Sequence, residues 1–240
     1  MAERVVSRLR ELRGAMGRPL LFCGGKGGVG KYAPSGGLAR ARRGQGAGGD
    51  ILDAGSYGPS MGMMLGVPEG KRPDTRENKY FVPMEAHGLQ ANSMAFVVTD
   101  KTPMVWRGPM VSGAVMQLLQ QTLWNELDYL IVDMPPGTGD IQLTLAQKVP
   151  VSGSLIVTTP QDIALLDARK AYKMFEKVEV PVLGVVENMS THICSKCGHE
   201  EKIFGEGGGQ KMADDYGINL LGSLPLDISI RVETDAGKPT

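Results

Sequence analysis

Gly25-Lys26-Gly27-Gly28-Val29-Gly30-Lys31 fits the G-x-x-x-x-G-K core of a phosphate-binding loop, or P-loop. The apolar run 20–23 precedes it, as the motif's leading strand requires. Glycines let successive backbone N–H groups turn inward and cradle phosphate oxygens. Lys31 would reach the β- and γ-phosphates. The next position ordinarily carries a serine or threonine whose hydroxyl ligates Mg²⁺. Here it is Tyr32. A phenol on a large ring cannot place its oxygen where a short hydroxyl would sit, so the Mg²⁺ position is expected to be weakened. An incidental glycine-rich turn is the bland alternative, and a full match after a strand argues against it.

Two strand ends carry acids. Tyr129-Leu130-Ile131-Val132-Asp133 is apolar until its last residue and runs into Met134-Pro135-Pro136-Gly137-Thr138-Gly139-Asp140. An aspartate at the carboxyl end of a strand beside the P-loop strand can hold Mg²⁺ through water. Gly137 and Gly139 would let the following loop rearrange around a γ-phosphate. Asp140 reads as the N-cap of the next helix. Ile51-Leu52-Asp53-Ala54-Gly55 is a second such junction. Asp53 is placed to act near the metal or the attacking water, and a turn-forming aspartate is the competing reading.

His192-Ile193-Cys194-Ser195-Lys196-Cys197-Gly198-His199 holds a C-x-x-C pair. That spacing lets two thiolates bind one metal centre, and one pair supplies half of a four-ligand site. His192 and His199 could complete a mononuclear zinc site, or the same pair from a second subunit could complete a shared one. A redox dithiol is a third option, but such pairs usually open a helix in a thioredoxin-like unit, a pattern missing here. Cys23 stands alone beside the P-loop.

These residues need a scaffold that brings several strand ends together. Helical spacing predicts helices over 3–16, 109–124, 139–148, 162–176 and 208–216. Short apolar runs predict strands at 20–23, 51–53, 92–98, 129–133, 154–158, 182–188 and 219–223. The alternation implies an α/β fold, a doubly wound and mostly parallel sheet with helices on both faces. A helix is required over 31–49, yet Pro34, Gly36 and Gly37 oppose it, each glycine by about 1 kcal/mol. The polar, proline- and glycine-rich stretch 66–90 reads as a long loop or inserted lid. The expected organisation is a helical extension over 1–18 and one P-loop domain over 19–240, with the cysteine segment near 190–200.

Composition narrows the function. Twenty-six basic residues balance 26 acidic ones, so global charge favours neither nucleic acid nor an anionic membrane as partner. No apolar run approaches the roughly 18 residues that span a bilayer. Three cysteines do not make a disulfide scaffold, and their pattern suits a reducing compartment, the cytoplasm.

Taken together, the motifs resemble one family, the Mrp/ApbC iron–sulfur carrier ATPases. The residues that carry the resemblance are 25–31, Leu52-Asp53-Ala54, Tyr57-Gly58-Pro59-Ser60, Val105-Trp106-Arg107-Gly108-Pro109-Met110, 128–140, Thr159-Pro160-Gln161-Asp162-Ile163-Ala164, Val186-Glu187-Asn188-Met189-Ser190, the Cys194/Cys197 pair and Ile203-Phe204-Gly205. The resemblance runs from about residue 19 onward and is densest after residue 104. It implies a homodimer of P-loop NTPase fold that binds ATP and Mg²⁺. Lys26 would reach across the dimer to the partner's nucleotide. Each subunit's Cys194 and Cys197 would contribute to a bridging, labile 4Fe–4S cluster that is passed to apo-proteins. Asn188 matches the position that contacts adenine, and Pro225 lies in a loop near the same base. Lys26, Lys31, Asp53 and Asp133 are therefore the candidate catalytic residues. Residues 25–32, Asn188 and Pro225 are the candidate nucleotide contacts. The chain departs from the family at Tyr32, at 33–37, at Gly24 where serine is usual, and at Gly55 and Ser56, Gly55 standing where a second acid is usual. Hydrolysis is accordingly expected to be weak or absent. The competing functions are a MinD/ParA-like regulatory switch and a metal-binding scaffold with a decayed nucleotide site.

Overall fold

A computed structural model describes residues 20–44, 49–55, 61–97, 108–149 and 151–239. The expected helix over 3–16 and the motif residues 56–60 and 105–107 lie outside the described residues.

The first half of the chain forms β1 (Leu20–Gly25), α1 (Tyr32–Gly44), β2 (Gly49–Asp53), α2 (Met61–Met64), β3 (Thr75–Arg76), β4 (Tyr80–Phe81), β5 (Met84–Ala86) and β6 (Leu89–Ser93). The middle continues with α3 (Met94–Val97), α4 (Gly108–Gln121), β7 (Tyr129–Asp133), α5 (Asp140–Lys148), β8 (Gly153–Thr158) and α6 (Asp162–Lys177). The last part forms β9 (Val182–Glu187), β10 (His192–Ile193), β11 (Glu200–Glu201), α7 (Gly208–Tyr216), β12 (Leu220–Ser223) and α8 (Ile228–Asp235). Eight strands make one sheet in the order β12-β9-β8-β1-β7-β2-β6-β5. Its ladders are parallel except at the edge, where β5 runs antiparallel to β6.

Strand side chains alternate between two cores, which is why these strands read as continuous apolar runs. Phe22, Leu52, Leu130, Val132 and Ile156 pack with Val111, Val115 and Leu118 of α4 and with Ala168, Ala171 and Phe175 of α6. Leu21, Ile51, Tyr129, Ile131 and Val157 pack on the opposite face with Leu38 and Ala39 of α1. The doubly wound, mostly parallel sheet expected from the sequence is borne out.

α1 forms although its composition opposes it. Pro34 sits in the first turn, where its missing N–H has no helical partner to lose. Leu38 and Ala39 are buried against the sheet, and packing of this kind overrides weak propensity. Two expectations shift. The strand over 92–98 is instead β6 followed by α3, because the Ser93 hydroxyl accepts the Ala95 N–H at 3.1 Å and so caps a helix. The stretch 66–90 is no simple loop: it holds the β3–β4 hairpin and β5. His87 and Gly88 both take positive φ, 51° and 74°, which is the two-residue turn that joins β5 to β6. Asp140 opens α5, with Gly139 rather than Asp140 at the cap.

Candidate functional site

The carboxyl ends of four neighbouring strands set the site. Register places Cys23 beside Asp133, Asp133 beside Asp53, and Asp53 beside Ser93. The P-loop leaves β1 and turns directly into α1. Gly28 and Gly30 hold φ of 83° and 70°, a region in which a Cβ is strained. The loop is tied to the chain after β7, since the Gly137 N–H donates to the Gly25 carbonyl at 3.3 Å. Gln142 fixes that second loop by donating to the carbonyls of Pro135 and Pro136.

Lys31 is buried, and its ammonium donates to the Lys26 carbonyl at 3.1 Å. Burial pulls its pKa down, while Asp133 opposes the shift. Burial pushes Asp133 well above the usual carboxylate range, the Asp53 charge adds to this, and Lys31 and Ser35 oppose it. Asp53 is pushed up to about 6, chiefly by burial. It accepts the Gly55 N–H at 2.9 Å and the Ser93 hydroxyl at 2.9 Å. Lys31 thus faces the buried Asp133 carboxyl, which stands next to Asp53, an arrangement suited to a phosphate bearing a divalent ion. Burial pushes the Cys23 thiol up to about 12, so it stays protonated at neutral pH.

The Tyr32 hydroxyl lies beside Gly55, next to Asp53. A Cβ added at Gly55 would stand 3.2 Å from the Tyr32 hydroxyl and 2.9 Å from Asp53 Oδ1. The phenol therefore fills the space into which a side chain at position 55 would grow. The two departures from the family pattern are one steric unit.

Asn188 packs onto the P-loop from the end of β9. Its amide donates to the Val29 carbonyl at 2.9 Å. A Cβ at Gly30 would come within 2.7 Å of that amide nitrogen and would be strained at φ of 70°, so glycine suits residue 30. Pro225 is exposed in the loop after β12, and the residues flanking it, Leu224 and Leu226, bond to Glu187, Ser190 and Thr191.

Cys194 and Cys197 occupy the turn between β10 and β11. The Gly198 N–H donates to the Cys194 carbonyl at 2.8 Å, and the Cys194 N–H to the His199 carbonyl at 2.9 Å. Cys194 is half-buried and Cys197 exposed. The N–H groups of Lys196 and Cys197 point at the Cys194 sulfur and, with the Cys197 thiol and His192, pull its pKa down. This knuckle favours a thiolate, the form that binds metal. Among the described residues no three His, Cys, Asp or Glu side chains gather as a metal site. The imidazole Nδ1 of His192 is instead engaged with the Leu226 carbonyl at 2.9 Å.

Two contributors escaped the sequence reading. Ser35 is fully buried, and its hydroxyl lies 2.8 Å from the Lys31 carbonyl and 3.3 Å from Asp133 Oδ1. Its position four residues after Lys31 on one helix face was the available signal. Ser93 had none, because only sheet register brings it to Asp53.

The family profile described as the NUBPL iron-transfer P-loop NTPase of the ParA group matches residues 16–240. The chain belongs to that family. The Mrp/ApbC resemblance and the P-loop NTPase fold are both borne out. The iron–sulfur cluster carrier protein of Pseudomonas fragi is 66% identical over 216 residues, 90% of this chain and 75% of that protein. The carrier protein of Escherichia coli K12 is 60% identical over 216 residues, which cover 90% of this chain and only 58% of its own. Mouse iron–sulfur cluster transfer protein NUBPL is 46% identical over 222 residues, 92% of this chain and 69% of that protein. A nucleotide-binding protein of Archaeoglobus fulgidus, solved in complex with ADP, superposes with a TM-score of 0.78 at 32% identity. That match covers 99% of this chain and 92% of the other. MinD of Pyrococcus horikoshii, solved with Mg-ADP, matches at a TM-score of 0.62 and 21% identity over 92% of this chain and 86% of its own, a likeness of fold alone. No described helix is long and apolar enough to cross a membrane.

Proposed function

We propose that this chain is a cytoplasmic ATP-binding iron–sulfur carrier. It holds a 4Fe–4S cluster between the Cys194/Cys197 pairs of two subunits and passes it to apo-proteins, with no nucleic acid or membrane as partner. The observation that carries the reading is the knuckle itself: two metal-competent sulfurs at an accessible turn, with no third or fourth ligand gathered beside them among the described residues. Four thiolates for one cluster then require a second copy. The names of the relatives point the same way.

Nucleotide binding has its own support. The P-loop backbone and Lys31 fit phosphate, Asp133 fits a metal-bound water, Asn188 sits on the P-loop, and the family resemblance assigns Asn188 and Pro225 to the base. Lys26 is the residue assigned to reach the partner's nucleotide. Mg-dependent hydrolysis is weak or lost, because Tyr32 supplies no short hydroxyl and Gly55 no acid. Nucleotide would then act by being bound, altering the dimer and so the hold on the cluster, with the P-loop and Lys31 gripping phosphate.

The test is anaerobic reconstitution of the chain with iron and sulfide, beside a Cys194→Ala/Cys197→Ala variant, with iron, sulfide and oligomeric mass quantified. About four irons per dimer, lost in the variant, supports the carrier. A monomer without iron, or iron that survives the double substitution, refutes it.

A further inference from the structure

The nucleotide site and the cysteine knuckle are joined by five residues, 188–192, with hydrogen bonds at Asn188, Ser190, Thr191 and His192. The Asn188 N–H donates to the Thr158 carbonyl at 2.7 Å while its side chain holds the P-loop. The Ser190 N–H and hydroxyl both donate to the Leu224 carbonyl, at 2.9 and 3.0 Å. The Leu226 N–H donates to the Thr191 carbonyl at 2.7 Å, and His192 meets the Leu226 carbonyl. His192 then pairs with Glu201 in the hairpin that carries Cys194. The strap therefore runs as a ladder against 224–226, continuing the β9–β12 pairing beyond Ser223.

One residue in it is strained. Met189 has φ of 55°, a left-handed conformation that a side chain makes unfavourable by about 1–2 kcal/mol. Its methyl group lies 3.3 Å from where a Cβ of Gly30 would stand. The side chain is thus seated against the P-loop, and the backbone is held off its preferred basin by contacts on both sides. A residue so held is a natural hinge.

We propose that the 188–192 strap couples occupancy of the P-loop to the grip of the Cys194/Cys197 knuckle on its cargo. The Asn188 amide nitrogen donates to the Val29 carbonyl at 2.9 Å and lies 3.5 Å from that of Gly30. Its Oδ1 and N–H groups are what a purine edge would also meet, so P-loop and base act on one side chain. Re-aiming the amide shifts the strap at Met189, and the ladder to 224–226 delivers the shift to His192 and Cys194. The proposal rests on the carrier reading and names the route within one subunit by which nucleotide would act. A ligand shifts such an equilibrium only through its differential contacts with the two states, and the amide supplies one.

The test follows iron release from the cluster-loaded dimer to the chelator bipyridyl, with and without ADP. In the wild-type chain ADP changes the release rate by about fivefold or more. Met189→Gly accepts the same φ without strain and without a side chain to seat, and Ser190→Ala removes one rung of the ladder. Each is expected to bring the ADP effect to within about twofold of unity, with iron content and ADP affinity changed by less than about twofold. A chain that takes up no iron overturns the carrier reading together with this one. Iron whose release ignores ADP in the wild type, or an ADP effect that survives both substitutions, overturns the coupling alone.

Discussion

Tyr32 and Gly55 should behave as a coupled pair. Gly55→Asp forces a Cβ to 2.9 Å from Asp53 Oδ1 and 3.2 Å from the Tyr32 hydroxyl. Overpacking of this kind costs about 1–3 kcal/mol. The Gly55 backbone is not left-handed, so space and charge alone decide the outcome. For 240 residues each kcal/mol is worth about 2–4 °C in Tm, which gives a loss of about 4–8 °C near the middle of that range. Tyr32→Ser removes a half-buried ring and should cost about 1–2 kcal/mol. In the double variant the 3.2 Å contact is gone, so the two losses should fall short of additivity by about 1 kcal/mol or more. The assay is a double-mutant cycle by thermal or urea unfolding, run beside Mg-dependent ATP turnover. Turnover is expected only in the double variant, which alone regains a short hydroxyl and a second acid. Additivity within about 0.5 kcal/mol would show that the phenol does not occupy the space of residue 55. A stable double variant without any gain in turnover would show that these two positions do not explain weak hydrolysis.

Two further outcomes follow from burial. Asp53 titrates at about 6 in the fold against 3.8 unfolded, so the folded state binds the extra proton and stability should decline as pH rises from about 4 to 6. The decline amounts to about 2–3 kcal/mol, and Asp53→Asn should flatten that part of a Tm–pH curve; an unchanged slope would place the burial penalty elsewhere. Gly184→Ala should cost more than about 3 kcal/mol, because its Cβ would meet the Asn219 carbonyl oxygen at 2.3 Å with φ at 156°. Near-native urea midpoints for that variant would contradict the tight β9–β12 pairing.

The sheet was readable because strands covered on both faces must be apolar throughout, and 129–133 and 154–158 announce themselves in that way. The helix after the P-loop was the reverse case. Pro34, Gly36 and Gly37 speak against it locally, and burial of Leu38 and Ala39 overrules them. The run Met94-Ala95-Phe96-Val97 was misread as strand because four apolar residues carry no period, and a single hydroxyl cap at Ser93 decided the matter.

The site divides along the same line. The order of residues alone determined the phosphate loop, the acids at the strand ends and the paired cysteines, because each is a contiguous motif whose spacing is its chemistry. Tertiary structure alone decided which of these meet. Parallel register sets Cys23, Asp133, Asp53 and Ser93 in one row, and α1 carries Ser35 to Asp133. The ring of Tyr32 fills the space beside Gly55, and the strap 188–192 joins loop to knuckle. Such contacts join residues as far apart as 29 and 188, and no local pattern encodes a distance closed only when eight strands pack into one sheet.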